Sequence, residues 1–261
     1  MVIDRFVDPP AGGQFPPGFL QGRCALVTGG ARRIGRALVE ALAGAGAVVV
    51  IHYRTSEEDA RAVVAAVEAG GGEAYTLHAD LGSSEVGLQL VDEAAELAGQ
   101  PIDILVNNAS VFEQLDVMTT TVTDWDRNIA VNLRAPFLLA RGLARQLPRG
   151  KVGDVVNLND DRALRPPADH FPYTISKVGL HGLTRSLALA LAPQVRVNEL
   201  ALGAVLPPQK ASADYMHTLK QDIPLGRFGS TAEVAHALLF LLGNPGVTGQ
   251  TILLNGGRHL A

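Results

Sequence analysis

Tyr173 and Lys177 stand four residues apart, in a stretch where Ile175, Val178 and Leu180 recur at helical intervals. On a helix this spacing puts both side chains on one face, a turn apart. A phenol titrates near 10 in water, and an ammonium beside it favours the phenolate and brings the group closer to working pH. Such a pair can hand a proton to an atom that gains negative charge. The plain alternative is a surface tyrosine and a helix-face lysine. A second constellation is Thr28-Gly-Gly-Ala-Arg-Arg-Ile-Gly35, which joins a short apolar run to a helical pattern. A glycine-bearing turn at that junction lets backbone N–H groups approach a phosphate at the positive end of a helix, although glycines there also serve tight packing. The next apolar run ends in His52-Tyr-Arg-Thr-Ser56, with no carboxylate before Glu57. Dinucleotide folds that take NAD place an acid there for the ribose 2′-OH, and that acid would repel a 2′-phosphate. Arg54, with the hydroxyls of Thr55 and Ser56 and the charge of Arg32, suits a 2′-phosphate instead. The alternative for Arg54 is an ordinary solvated charge. The cofactor expected from this pattern is NADPH.

These groups need a scaffold, and the apolar pattern supplies one. Runs at Cys24–Thr28, Ala47–His52, Ala74–His78, Ile102–Val106, Asp154–Leu158, Val195–Asn198 and Gln250–Leu254 read as strands. Between them, helical spacing appears over Ile34–Ala45, Ser56–Ala69, Val86–Ala98, Trp125–Gln146, Tyr173–Leu191 and Ala232–Leu242. Strands apolar on both faces, each followed by a helix, imply a parallel sheet covered on both sides. The expectation is an α/β fold: one doubly wound Rossmann-type domain over residues 22–261, preceded by a flexible arm over residues 1–21.

Composition narrows the function. The 261 residues are 47% hydrophobic and 18% charged, enough to build a large core. Lys plus Arg number 22 against 26 Asp plus Glu, a net charge of −4, so the basic footprint of a nucleic-acid binder and a polybasic membrane anchor are both missing. The single cysteine, Cys24, excludes an internal disulfide and a cysteine-based metal cluster, and no metal site is expected. The longest nearly apolar stretch, Ala41–Ile51, is broken by Gly44 and Gly46 and falls short of the ~20 residues a membrane helix needs. The residues before Gln21 lack the basic start and apolar run of a secretory signal. A cytoplasmic protein is expected.

The order of the motifs resembles the short-chain dehydrogenase/reductase family over Gly22 to Gly257. Thr28-Gly-x-x-x-x-Ile-Gly35, Ala79-Asp80-Leu81, Asn107-Asn-Ala109, Asn132, Tyr173-x-x-x-Lys177 and Arg196-Val-Asn198 carry the resemblance. It implies cofactor contacts from Gly29, Arg32, Arg33 and Ile34 of the loop, and from His52, Tyr53, Arg54, Thr55 and Ser56. It further implies contacts from Asp80, Leu81, Asn108, Ala109, Ser110, Tyr173, Lys177 and Gly203. Asp80 would face the adenine amine, with a helix N-cap as its alternative role. Tyr173 would be the proton donor, Lys177 would hold the nicotinamide ribose, and Asn132 would help hold a water that relays protons toward the lysine. Leu202 replaces the proline that the family places before the glycine matched by Gly203.

Three further departures point to one branch. Arg33 stands where the loop usually has a middle glycine, Ser110 follows the amide loop with Phe112 two residues on, and Asp160 stands thirteen residues before the tyrosine, in the catalytic serine's place. Neighbouring Asp161 is the alternative by a one-residue shift. Together these look like the pteridine reductase branch, and Gly30–Gly35, Tyr53–Thr55 and Gly256–Leu260 are similar to bacterial dihydromonapterin reductases. The implied catalytic set is Asp160, Tyr173, Lys177 and Asn132. The implied substrate set is Arg33, Ser110, Phe112, Asp160 and Tyr173, with Phe112 stacking on a pterin unless it is plain core. The substrate expected is dihydromonapterin or a related dihydropterin, with dihydrofolate as a further candidate. A carbonyl reductase acting on a 3-oxoacyl thioester or small ketone is the runner-up, and a non-catalytic NADP(H)-binding sensor the third reading. The resemblance also implies a homotetramer, paired through Ala130–Leu143 and Val178–Leu191, and a lid over residues 206–225.

Overall fold

A computed structural model describes residues 15–83, 86–205 and 219–260. Seven strands form one parallel sheet: β1 Cys24–Val27, β2 Val48–Tyr53, β3 Ala74–His78, β4 Ile104–Asn107, β5 Gly153–Asp160, β6 Val195–Leu202 and β7 Thr251–Leu254. Their order across the sheet is β3-β2-β1-β4-β5-β6-β7. The helices are α1 Arg33–Gly44, α2 Glu57–Ala69, α3 Val86–Ala98, α4 Val122–Ile129, α5 Ala135–Gln146, α6 Phe171–Ala190 and α7 Thr231–Gly243. This is the doubly wound sheet that the sequence predicts.

Alternation along each strand divides the core. Ala25, Val27, Val49 and Ile51 pack against Leu38, Val39 and Leu42 of α1 and Leu238 and Leu241 of α7. Leu26, Val50, Leu105 and Val155 point the other way, onto Leu90 and Val91 of α3 and Leu139 and Leu143 of α5. The chain winds outward from β1 to β3 and then crosses to β4 on the other side of β1. The loops after β1 and β4 therefore diverge and leave a crevice at the carboxyl ends of the strands, where such sheets hold ligands.

Three elements depart from the sequence pattern. β5 and β6 each run to eight residues, paired from Gly153↔Val195 to Asp160↔Leu202, so Asp160 is the last strand residue. The helix expected over Trp125–Gln146 is interrupted by a π-helical turn at Ala130–Arg134, which contains Asn132. Residues 1–14 of the arm and 206–218 of the expected lid lie outside the described residues. From Phe15 onward the arm is docked: Phe15 stacks on Phe19 at 4.7 Å, and Leu20 is buried with its N–H donating to Ala45 O. Among the described residues no helix is long and apolar enough to cross a membrane.

Candidate active site

The turn after β1 is built to bring backbone close. Gly29 has φ +62°, and a Cβ on Gly35 would sit 2.1 Å from Gly29 O, so neither position accepts a side chain. Thr28 ties this turn to the loop after β4, because its Oγ1 accepts the N–H groups of Asn108 (2.9 Å) and Ala109 (3.0 Å). Asn108 Nδ2 donates to the carbonyls of Thr28 and Gly29 at 2.9 and 3.0 Å. His52 pins the turn from below: its Nδ1 accepts the Gly29 N–H at 3.1 Å and its Nε2 lies 3.1 Å from Ala79 O. Burial pushes the imidazole down to about 4, so His52 is neutral with its proton on Nε2.

These loops bound a cavity of about 370 Å³. Of the expected cofactor residues it is lined by Gly29, Arg32, Arg33, Ile34, His52, Arg54, Asp80, Leu81, Asn108, Ala109 and Ser110. Tyr53, Thr55, Ser56, Tyr173, Lys177 and Gly203 do not line it. The Tyr53 ring packs on His78 at 5.5 Å, and Gly203 backs onto Asn255, whose Cβ leaves no room for a side chain. Two expectations change in the structure. His52 faces the cavity, but both of its ring nitrogens are used inside the protein. Arg32 is paired with Asp59, Nε to Oδ2 at 2.5 Å, so its charge is partly spent. Gly35, Val111 and Val131 complete the lining; Gly35 belongs to the loop motif, whereas nothing in the sequence singles out the two valines.

Beyond the cavity, Asp160 and Tyr173 meet. The phenol, buried at the start of α6, donates to Asp160 Oδ2 at 2.7 Å, and Asp160 Oδ1 accepts the Arg162 N–H at 3.0 Å. Asp161 points elsewhere, toward Asn255 at 3.2 Å, which separates the two candidate carboxylates. Burial, followed by the Asp160 charge, raises the phenol well above its usual 10. Lys177 alone does not offset this burial. The lysine's Nζ lies 5.6 Å from the Tyr173 ring and donates to Leu158 O at 2.8 Å. Burial lowers Lys177 to about 8, opposed by the charges of Asp160 and Glu199.

Asn132 is saturated by protein groups. Its Oδ1 accepts from Val111 N (2.9 Å) and Ser110 Oγ (3.1 Å), and its Nδ2 donates to Val111 O and Ser176 Oγ, both at 3.0 Å. The π turn thus fixes the 110–112 loop and presents Phe112. That ring is 57% exposed, stacks on His170 at 4.2 Å and meets Tyr173 edge-on at 4.7 Å. Plain core is excluded for it. Arg33, at φ +53°, opens α1 and is exposed beside the cavity.

Behind the lysine lies a polar group that the sequence did not reveal. Glu199, fully buried on β6, accepts from Thr251 Oγ1 (2.7 Å), Asn159 Nδ2 (2.9 Å) and Thr184 Oγ1 (3.2 Å), with His181 Nδ1 at 2.5 Å. Asn159 Nδ2 also lies 3.2 Å from the carbonyl of Lys177. Only the pairing of β5, β6, β7 and α6 brings these residues together.

The cavity fits a dinucleotide: glycine backbone at the start of α1, Asp80 at one end, Arg54 in place of an acid after β2, and the Tyr173 proton beyond the other end. A family profile described as enoyl-(acyl carrier protein) reductase matches residues 29–259. The 3-oxoacyl-[acyl-carrier-protein] reductase FabG of Aquifex aeolicus is 37% identical over 244 residues, 91% of this chain and 98% of its own. FolM alternative dihydrofolate reductase 1 of Brucella canis, solved with NADP, is 40% identical with a TM-score of 0.86, covering 92% of this chain and 95% of its own. A short-chain dehydrogenase of Burkholderia cenocepacia, also solved with NADP, is 34% identical with a TM-score of 0.85, covering 92% and 98%. With this fold, these loops and this tyrosine–lysine pair, the chain belongs to the short-chain dehydrogenase/reductase family of oxidoreductases.

Proposed function

We propose that the protein is an NADPH-dependent reductase of a pteridine, a dihydropterin or dihydrofolate. The observation that carries the reading is the 2.7 Å hydrogen bond from Tyr173 to Asp160 beside the exposed face of Phe112. Gly29, Asn108 and Ala109 hold the dinucleotide's phosphates and nicotinamide end against backbone, and Arg54 faces the 2′-phosphate. The bound cofactor supplies a hydride. Phe112, braced by His170 on one face, stacks the flat substrate on the other, and Ser110 and Arg33 hydrogen-bond the ring edge. Tyr173 keeps its proton because its pocket is dry and Asp160 is close. It releases that proton to the ring atom that becomes negative as hydride arrives, and Asp160 orients the phenol throughout. Lys177 contributes positive charge and a hold on the ribose, and Asn132 fixes the loop that carries Ser110 and Phe112.

The likeness to the FolM protein of Brucella canis supports this reading. The likeness to the FabG reductase of Aquifex aeolicus favours a second, reduction of a 3-oxoacyl thioester, against which stands the carboxylate in the serine's place. NADPH oxidation across dihydropterins, dihydrofolate, small ketones and 3-oxoacyl thioesters decides. Turnover with a dihydropterin or dihydrofolate is expected; efficient turnover of ketones or thioesters alone overturns the reading. A homotetramer belongs to the same proposal, supported by the exposed Phe137 of α5 and Val178 of α6, and sedimentation checks it.

A further inference from the structure

A larger cavity, about 760 Å³, lies beside the Asp160–Tyr173 pair and plays no part in the chemistry above. Its walls come from the segment that follows β5 and from the turn at Arg258–Leu260, and it carries Arg162, Arg165, Arg258 and His259 with Asp161, Asp169 and Asp222. Two of the acids are engaged by protein groups. Asp169 is closed by Arg162 at 2.5 Å, and Asp161 accepts from Asn255 Nδ2 at 3.2 Å. Arg258 stands 3.8 Å from Asp161, too far for a hydrogen bond, and keeps 31% of its side chain exposed. Arg165 Nη1 donates to the carbonyl of Arg258 at 3.3 Å, so the two arginines are neighbours across 93 residues of sequence. Burial and the Asp160 charge raise Asp161, and the Arg258 charge opposes them.

We propose that this cavity receives an anionic tail of the substrate, a carboxylate or a phosphate, held by Arg165 and Arg258 while the pteridine ring lies on Phe112. The inference rests on the pteridine reading. The cavity adjoins the proton-donating pair: Asp161 and Arg162, both on its wall, follow Asp160, whose Oδ1 accepts the Arg162 N–H at 3.0 Å and whose Oδ2 accepts the Tyr173 hydroxyl. A substituent on a ring placed against Tyr173 therefore enters it past Asp160. Planar guanidinium groups match the paired oxygens of either anion. The substrate class this favours is a dihydropterin bearing glutamyl carboxylates or a phosphate ester, over one with a neutral side chain.

The full chain with NADPH tests this on three substrates: dihydrofolate, a phosphorylated dihydropterin and a dihydropterin with a neutral side chain. In Arg258→Gln and in Arg165→Gln/Arg258→Gln, the KM of at least one anionic substrate should rise about tenfold or more, the worth of one charge-assisted hydrogen bond. The neutral substrate's KM and every kcat should stay within about twofold. Which anion loses affinity identifies the tail. An equal rise for all three substrates, or no rise, overturns the proposal. If wild type reduces none of them, the pteridine reading fails separately, and binding alone decides the cavity. Calorimetry of 4-aminobenzoyl-glutamate and of inorganic phosphate with the NADPH-loaded protein should then show binding that the double variant weakens about tenfold, whereas no binding, or equal binding to both proteins, refutes the site.

Discussion

His52→Phe removes the pin beneath the cofactor turn, and its effect should depend on pH in a way that can be worked out beforehand. In the folded protein the imidazole titrates near 4 because it is buried between Gly29 and Ala79, whereas in the unfolded chain it titrates near its ordinary value of about 6.5. Between these values the unfolded chain binds the extra proton. The stability that His52 contributes is therefore complete above pH 6.5 and drains away as the pH falls toward 4. A difference of about two and a half pH units corresponds to about 3 kcal/mol. At pH 7 the variant should also be less stable by about 1–3 kcal/mol, since phenylalanine leaves the Gly29 N–H without its acceptor. Urea unfolding of both proteins at pH 7, 5.5 and 4 measures the difference between them, which should shift by about 3 kcal/mol in favour of the variant across that range, so that it closes or changes sign by pH 4. A gap that stays constant with pH would show that His52 is not held neutral, and the account of how the turn is fixed would be wrong.

Other outcomes follow from the same geometry. Arg54→Asp places an acid where the cavity has a cation and should reverse a preference for NADPH over NADH of about tenfold; fluorescence titration of both nucleotides reads it. Tyr173→Phe should cost on the order of 10²–10⁴ in turnover with a dihydropterin while NADPH affinity stays nearly unchanged, because a proton is lost and the fold is not. Glu199→Gln removes a charge that holds Lys177 up, so the alkaline limb of kcat/KM for NADPH, set by Lys177 near 8, should move to lower pH. An unmoved limb with only a lower Tm would leave Glu199 a purely structural residue.

The strands and most helices were legible because burial on both sheet faces writes continuous apolar runs, as in Ala47–His52. The far ends of β5 and β6 were not, since Asn159, Asp160 and Glu199 are poor strand residues taken singly. They are accommodated because Asn159 and Glu199 satisfy one another at 2.9 Å, a partnership of residues 40 positions apart. The π turn at Asn132 was hidden for a similar reason: what it achieves is four contacts with Ser110, Val111 and Ser176, not a local preference. At the site, the spacing of Tyr173 and Lys177, and for Asp160 the family resemblance, pointed to the arrangement, but the electrostatics did not follow from either. Burial, which no motif displays, raises the phenol and lowers the ammonium. The roles of His52 and Arg32 likewise depend on Ala79 and Asp59, which only the folded chain brings within reach.

The central claim is that a carboxylate hydrogen-bonded to the proton-donating tyrosine suits this enzyme to a pteridine and not to a ketone. Asp160→Ser tests it most directly, with kcat/KM measured for a dihydropterin and for a 3-oxoacyl thioester in both proteins. The account predicts that wild type strongly favours the dihydropterin and that the serine variant loses about 10²-fold on it while its thioester activity holds or rises. Unchanged dihydropterin turnover in the serine variant, or a wild-type preference for the thioester, would contradict it.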